Sequence, residues 1–196
     1  MSKNIITISR EFGSGGRAIG EAVAKHLNYQ YYDKDIIAKV AKETGFSEEF
    51  VAKSGEYASS KNIFAYAFTG RDSNGMSIDD YVFNAQRKII LDIAEKGNCV
   101  IVGRCADYIL RERDDVLNVF IIGEKEKKIE RIKKLYSVTE AEAIKLIKDT
   151  DKKRSINYNY YTDQVWGKNH NYAITLNSSI LGMDACIEII EELAKK

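Results

Sequence analysis

Short apolar runs alternate with amphipathic segments along most of the chain. Runs of β-branched and aromatic residues predict strands, whereas apolar residues at every third or fourth position predict helices between them. The predicted strands are Asn4–Ser9, Tyr29–Tyr32, Cys99–Val102, Val116–Ile122 and Tyr172–Leu176. Strands that are separated by helices in this way favour a parallel sheet with right-handed crossovers and helices on its faces.

The segments between these strands carry the helical pattern and its start signals. We predict helices at Arg17–Leu27, Asp35–Thr44 and Ile78–Lys96, and a C-terminal helix from about Met183. Ser77-x-x-Asp80 is a capping box that marks the start of the third helix. A second box, Thr139-x-x-Glu142, lies in the long insertion before the last strand, where two further helices are expected.

A cluster of glycines follows the first predicted strand and opens the first predicted helix. Gly13, Gly15 and Gly16 lie within four consecutive positions. Such a turn lets the backbone wrap closely around a ligand, and the positive end of the helix dipole favours phosphate there. The sequence therefore predicts a phosphate-binding loop, although a tight strand–helix turn without a ligand would need the same glycines.

Two kinds of phosphate loop fit these glycines, and the first is the dinucleotide fingerprint. Gly13-x-Gly15-x-x-Ala18 matches its G-x-G-x-x-G/A form. Asp33 follows at about the 20-residue distance that is expected of a ribose-binding acid. This interpretation predicts a dinucleotide-dependent oxidoreductase.

The second kind is the mononucleotide P-loop, G-x-x-x-x-G-K-[ST]. It fits if Gly16-Arg17 replaces the Gly-Lys pair, which puts Glu11 at the first glycine position. We favour this loop because Arg10, Glu11 and Phe12 separate the strand from the glycines, as a longer phosphate cradle requires. Arg17 then supplies the cation that the P-loop needs for the outer phosphates.

Composition limits the other function classes. Lys and Arg number 30 and Asp and Glu 29, which leaves a net charge of +1 on 196 residues. Such a chain has no global field that would favour nucleic acid or an acidic membrane. Without an apolar run near ~18 residues or a recognisable secretory leader, we expect a cytoplasmic protein. Cys99, Cys105 and Cys186 are then expected to be small buried thiols.

Polar groups follow several of the predicted strands. The glycine loop, Asp33, Gly103-Arg104 and Asn177 each come where a strand ends. Because ligands of parallel α/β sheets bind at the carboxyl ends of the strands, we expect these groups to share one site.

Five segments of the chain are informative by their order and spacing: ITISREFGSGGRAIG, YYDKDII, QRKIILDIAEKGNCVIVGRCADYIL, KDTDKKR and YAITLNSSILG. In that order they resemble the P-loop strand, the start of the monophosphate-binding part, a Gly-Arg element, the lid and the last strand of nucleoside monophosphate kinases. The resemblance is specifically to the cytidylate kinase-like family. It implies a P-loop NTPase-type three-layer α/β fold with a parallel sheet of about five strands. It also implies transfer of the γ-phosphoryl group of ATP to a nucleoside monophosphate such as CMP or dCMP, with Mg²⁺.

The same resemblance divides the chain. It implies a single domain of residues 1–196, whose core is formed by residues 1–33, 76–123 and 172–196. An acceptor-binding insertion is expected at about residues 34–75, and a helical lid at about residues 124–171.

The resemblance further assigns roles on the donor side. Arg17 would take the place of the P-loop lysine, while Arg131 and Arg154 would close from the lid onto the transferring group. Asp151, three residues before Arg154 on the helix, would orient it as a further catalytic residue. The nucleotide-binding residues would be Gly13, Ser14, Gly15, Gly16, Arg17 and Ala18.

On the acceptor side, the substrate-binding residues would be Asp33, Arg87, Arg104 and Asp107. The expected partners are small-molecule nucleotides, with neither nucleic acid nor a membrane among them.

Two positions depart from an ordinary P-loop. Arg17 stands in place of lysine, and Ala18 carries no hydroxyl group to help hold Mg²⁺. The metal would therefore be held mainly through water and phosphate oxygens, with no protein ligand set of its own. The departures leave two further alternatives, a nucleotide-binding regulatory module with weak or no turnover and a kinase of another small-molecule acceptor.

Overall fold

The computed structural model describes residues 3–54 and 76–196, and its centre is one parallel sheet of five strands. The strands are β1 (Ile5–Arg10), β2 (Gln30–Tyr32), β3 (Cys99–Val102), β4 (Val116–Ile122) and β5 (Ile174–Asn177). Their order across the sheet is β2-β3-β1-β4-β5, and every neighbouring pair is parallel. The predicted three-layer α/β fold is confirmed.

Helices cover both faces of this sheet. In the described segments they are α1 (Gly16–Leu27), α2 (Lys34–Thr44), α3 (Glu48–Ser54), α4 (Ile78–Lys96), α5 (Ala106–Ile109), α6 (Lys125–Tyr136), α7 (Glu140–Thr162), α8 (Ser178–Leu181) and α9 (Met183–Ala194). A 3₁₀ turn occupies Asn169–Asn171. Both predicted capping boxes are present, at the starts of α4 and α7. No helix in the described part of the chain combines the length and apolar character that a membrane span requires.

The strand order separates the two interpretations of the glycine loop. In the dinucleotide-binding fold β1 lies directly beside the second strand. Here β3 lies between β1 and β2, so the strand order departs from that of the dinucleotide-binding fold. The oxidoreductase interpretation therefore loses its geometric basis.

The central strand β1 is buried along its whole length. Its pairing with β3 ends at Ile8, whereas its pairing with β4 continues until Arg10 lies opposite Ile121. Arg10 is therefore the last residue of the strand and not, as the sequence suggested, the first residue of the loop. The extra pairing fixes the backbone of Arg10 at the carboxyl edge of the sheet.

Alternation along β1 supplies both layers of the core. Ile6 and Ile8 pack on the side of α1 and α9, where Val23 and Ile190 are also fully buried. Ile5 belongs to the opposite layer, which α2 and α4 cover. Since both layers are apolar and closely packed, the carboxyl ends of the strands are held in a fixed relation to one another.

The segment predicted to be a lid forms a hairpin of α6 and α7. A small apolar cluster of Ile129, Ile132 and Ala143 joins the two helices, and Phe12 of the glycine loop packs against it. The backbone N–H of Phe12 donates a hydrogen bond to Asp151 at 2.6 Å. The hairpin thus lies directly on the glycine loop.

The predicted insertion at residues 34–75 is described only as far as residue 54, where it contains α2 and α3. The polar, glycine-containing stretch of residues 69–75 lies outside the described residues. The division into core, insertion and lid stays a prediction.

Candidate functional site

The glycine loop turns sharply between β1 and α1. Gly13 and Gly15 both have φ of +85°, a left-handed conformation that side-chain-bearing residues rarely adopt. Gly15 occupies the N-cap of α1, where no side chain of the described residues caps the helix. The first N–H groups of a helix have no partner within it, so they are available to an anion at this position.

Ser14 is used within the loop itself. Its side chain is completely buried, and its hydroxyl donates a hydrogen bond to the carbonyl of Glu11 at 2.9 Å. The Ser14 carbonyl in turn accepts from the hydroxyl of Ser178 at 2.5 Å. These contacts hold the loop in shape and tie it to the turn after β5.

Helix α6 lies over the loop and brings two cations to it. Arg131 Nη1 donates to the carbonyl of Gly13 at 2.6 Å. Lys128 Nζ lies 2.8 Å from the carboxylate of Glu11. No sequence pattern indicates this second pair, because a carboxylate in a phosphate loop has no place in the P-loop pattern.

A cleft of about 680 Å³ runs along the loop and α6. Its polar lining combines glycine backbone with the side chains of Arg10, Arg17, Arg131, Lys134 and Arg154 and the carboxylates of Glu11 and Glu21, and its apolar lining includes Leu135, Tyr136 and Met183. An apolar wall beside a cationic phosphate loop suits a nucleotide, whose base and phosphates have these two characters.

Arg17 and Asp33 were predicted to serve opposite substrates, and the structure pairs them with each other. Arg17 Nε lies 2.6 Å from the Asp33 carboxylate, and the two side chains are 47% and 7% exposed respectively. Arg17 therefore borders the cleft while its guanidinium neutralises Asp33. Its predicted role at the outer phosphates stays a prediction.

A second, smaller cavity adjoins the cleft at the ends of β1 and β3. Arg10, Arg104 and Arg154 all line it, and they are only 4%, 4% and 7% exposed. The rest of the lining is Ser9, Gly103, Cys105, Asn157, Tyr158 and Trp166. Among the described residues, no carboxylate lines this cavity. We call it the arginine cavity; three buried guanidinium groups around one space favour an anion.

Arg104 is held on a strained turn. Gly103, Arg104 and Cys105 have φ of 74°, 61° and 55°, so two consecutive non-glycine residues adopt the left-handed conformation. Gln86 fixes the turn by donating a hydrogen bond to the Arg104 carbonyl at 3.2 Å. The buried Nε and Nη1 of Arg104 have no hydrogen-bond partner among the described residues. Strain and unsatisfied buried donors together are typical of a ligand site.

Asp107 lies behind the wall of the arginine cavity. Its carboxylate accepts hydrogen bonds from the hydroxyls of Tyr158 at 2.7 Å and Ser9 at 3.4 Å, and both of these residues line the cavity. Burial raises the pKa of Asp107 to about 6, against the opposing effect of these hydrogen bonds. Burial also raises the pKa of Tyr158.

Arg154 connects the hairpin to the strand end. Its Nη1 donates to the carbonyl of Arg10 at 3.1 Å and lies 3.6 Å from Asp151. Burial raises the pKa of Asp151 to about 6, while its hydrogen bond from Phe12 and the charges of Arg154 and Lys128 act in the opposite direction. The predicted pairing of Asp151 with Arg154 is thus present in the structure.

The predicted acceptor residues do not all meet. Arg104 lines the arginine cavity and Asp107 lies behind its wall, but Arg87 is exposed on α4 and lines neither cavity. Its neighbour Gln86 is the residue that faces inward and holds the Arg104 turn. Arg10 lines both cavities, although the sequence analysis gave it no role.

The described residues contain no group of three or more His, Cys, Asp or Glu side chains that could hold a metal ion. Ser9, the hydroxyl nearest the end of β1, donates to Asp107.

Comparisons with known proteins give the family and the fold. The model of the cytidylate kinase-like family matches residues 5–180. A search of curated proteins found no match. Among solved structures, an uncharacterized protein from Eubacterium ventriosum ATCC 27560 is 27% identical, with a TM-score of 0.74 and 96% of each chain covered.

Two shikimate kinases share the fold at lower identity. The enzyme from Bacteroides thetaiotaomicron is 16% identical, with a TM-score of 0.54 and 98% of each chain covered. The enzyme from Acinetobacter baumannii, solved in complex with shikimate, is 13% identical, with a TM-score of 0.53 and coverage of 96% of this chain and 91% of that one. These likenesses show the fold alone.

Proposed function

Because the chain belongs to the cytidylate kinase-like family, we propose that it transfers the γ-phosphoryl group of ATP to a nucleoside monophosphate, with CMP and dCMP as the first candidates. The family and the fold of its structural neighbours support a phosphotransferase. The choice of acceptor rests on the two adjoining cavities.

The observation that carries the proposal is the continuity between these cavities. Arg10 and Arg154 line both the cleft over the glycine loop and the arginine cavity. Phosphoryl transfer requires donor and acceptor groups held in line and the negative charge between them neutralised. Arg10 and Arg154 border both spaces, so they would neutralise the negative charge between the donor and acceptor groups.

On the donor side, the backbone of Gly13–Ala18 would hold the phosphates of ATP at the start of α1. Arg131 lies over the loop and would contact the same phosphates from α6. Mg²⁺, when bound, would neutralise phosphate charge through oxygens of ATP and water. The protein's own part is to position the phosphates and to exclude water from them.

On the acceptor side, Arg104 and Arg154 would bind the phosphate of the nucleoside monophosphate. The planar guanidinium group binds two phosphate oxygens at once, and burial strengthens such hydrogen bonds. Asp107 would act as a positioning residue through Tyr158 and Ser9. The Arg17–Asp33 pair would border the site, and Arg87 would lie outside it.

One observation favours a second candidate, a kinase of a hydroxyl-bearing acid. Asp107 is a buried carboxyl group whose burial raises its pKa to about 6, and such a group suits a general base. It reaches the cavity only through Ser9 and Tyr158, however, and three arginines bind an acceptor's carboxylate or phosphate equally well. The identity of the acceptor that is phosphorylated therefore distinguishes a nucleoside monophosphate kinase from a kinase of a hydroxyl-bearing acid.

The test is a panel of CMP, dCMP, UMP, AMP and GMP with Mg-ATP, followed by acceptor-dependent release of ADP. We expect turnover with a pyrimidine monophosphate, and its loss in Arg104→Met. Arg113→Met is the matched control, because Arg113 pairs with Asp115 at the amino edge of the sheet. Background rates with all five acceptors, from protein that binds ATP in calorimetry, would reject the nucleotide-kinase proposal and favour a regulatory module or another acceptor.

A further inference from the structure

The end of β1 and the start of α1 carry a glycine and a cation in unusual places. An ordinary P-loop begins with glycine at the strand end and has lysine directly after its second glycine, where the helix starts. In this structure the strand ends at Arg10, Gly15 caps the helix, and the helix starts at Gly16. The spacing therefore puts Arg10 at the first glycine and Gly16 at the lysine, one residue earlier than the sequence-based alignment.

These two positions touch each other. A Cβ atom placed on Gly16 would lie 2.6 Å from Cβ and 3.0 Å from Cγ of Arg10. Real Cβ atoms do not approach other carbons so closely, and the obstructing atoms lie at the rigid base of the arginine side chain. The Arg10 side chain thus crosses the first turn of α1 through space that only glycine leaves open.

Three further cations lie near the loop, and each is held to a group of the protein. Arg17 lies 2.6 Å from Asp33 and is half exposed. Lys128 is paired with Glu11 at 2.8 Å, and Arg131 donates to the Gly13 carbonyl. Arg10 is buried and lines both the cleft and the arginine cavity, whereas Arg17 and Arg131 line only the cleft.

We infer that Arg10 is the cation that binds the outer phosphates of the donor, in place of the P-loop lysine, and that Gly16 is glycine to let its side chain through. Cation and glycine have exchanged places within the loop. The inference rests on the proposed function only in that the loop binds a nucleoside triphosphate.

Arginine suits this exchange better than lysine would. From the strand end, a side chain must cross the helix start to reach both cavities, and a guanidinium group presents donors on two edges. Arg154 Nη1 donates to the Arg10 carbonyl, so the hairpin is seated on the same residue. One residue can thereby contact donor and acceptor phosphates.

The first test is nucleotide binding by calorimetry, which needs no acceptor. We expect Arg10→Met to weaken binding of ATP at least about tenfold, the effect of losing charge-assisted hydrogen bonds. Adenosine lacks phosphates, so its affinity for Arg10→Met should lie within about twofold of its affinity for the wild-type protein. Arg113→Met, at the amino edge of the sheet, should change neither. Unchanged ATP affinity in folded Arg10→Met would overturn the inference.

A second set of variants separates the role of Arg10 from its contribution to folding. Gly16→Ala keeps every charge but obstructs Arg10, so it should weaken ATP binding as Arg10→Met does. Arg10→Gly combined with Gly16→Lys rebuilds the ordinary order of glycine and lysine, and we expect it to bind ATP better than Arg10→Gly alone. Two results would contradict the inference that cation and glycine have exchanged places. One is wild-type ATP affinity in Gly16→Ala, and the other is an ATP affinity of the double variant no better than that of Arg10→Gly.

These measurements also keep the two proposals apart. If wild type binds ATP in an Arg10-dependent way but transfers phosphate to no nucleotide, the inference stands and the proposed acceptor falls. If wild type phosphorylates CMP and Arg10→Met does so equally well, the proposed function stands and the inference falls.

Discussion

Arg17 Nε lies 2.6 Å from the carboxylate of Asp33, so an ion pair joins the first turn of α1 to the start of α2. The arginine is half exposed, but the aspartate is buried. Removing the two partners therefore has unequal consequences, since a buried carboxylate without its cation is costly whereas an exposed arginine is readily solvated.

A double-mutant cycle tests this asymmetry. Arg17→Met should lower the melting temperature more than Asp33→Asn does, and the double variant should recover part of that loss. The exposure of Arg17 keeps the total effect modest. Thermal unfolding followed by circular dichroism measures all three variants. Strictly additive effects of the single substitutions would show that the pair contributes nothing to folding.

The buried carboxyl group of Asp107 predicts a pH dependence of stability. Burial raises its pKa from 3.8 to about 6, so between these values the folded protein holds a proton that the unfolded chain has released. The free energy of unfolding should therefore fall as the pH rises through this window. Asp107→Asn should flatten that slope.

The slope is measured as melting temperature against pH, with Asp149→Asn on the exposed face of α7 as the control. Some slope should remain in Asp107→Asn, because burial also raises the pKa of Asp151 to about 6. An identical slope in wild type and Asp107→Asn would mean that this carboxyl group titrates as it does in the unfolded chain.

Arg154 should contribute more to the reaction than to binding of ATP. Its contact with the Arg10 carbonyl puts it between the two cavities, where charge develops during transfer. We expect Arg154→Met to lower kcat about 100-fold and to change the Kd of ATP by less than about threefold. Lys145→Met, on an exposed part of α7, is the control. Equal losses in kcat and in ATP affinity would make Arg154 a plain binding residue.

The arginine cavity predicts movement of the hairpin. Its volume is about 20 Å³, room for about one or two water molecules, so we expect the hairpin to shift when an acceptor's phosphate enters. A bisubstrate analogue that links adenosine and cytidine through phosphates should therefore slow hydrogen exchange across residues 124–171. Peptides from β1 and β3 serve as the internal reference. The same protection with and without the analogue would identify the hairpin as static scaffold.

The sheet could be predicted because its strands have unambiguous patterns. Cys99–Val102 is an unbroken apolar run, and all four of its residues are buried in β3. The capping boxes at Ser77 and Thr139 likewise fix helix starts through local hydrogen bonds, which sequence spacing alone specifies. Elements that depend on residues close together in the sequence could therefore be predicted.

Features that depend on contacts between distant residues could not be predicted. Arg10 belongs to β1 through its pairing with Ile121, which no local pattern indicates. The charge of Arg87 suggests a site residue, but adjacent residues on a helix point about 100° apart, and Gln86 is the one that faces inward. The Arg17–Asp33 pair joins two elements whose separation no sequence pattern gives.

Phosphorus NMR of wild-type protein with Mg-ATP and either CMP or cytidine tests the central claim most directly. If the arginine cavity receives the acceptor's phosphate, CMP should yield the resonances of CDP and ADP, while cytidine should yield no CMP above the rate without protein. Arg104→Met should abolish CDP formation, and Arg113→Met should retain it. Phosphorylation of cytidine as fast as CMP, or CDP formation that is indifferent to Arg104, would contradict the account.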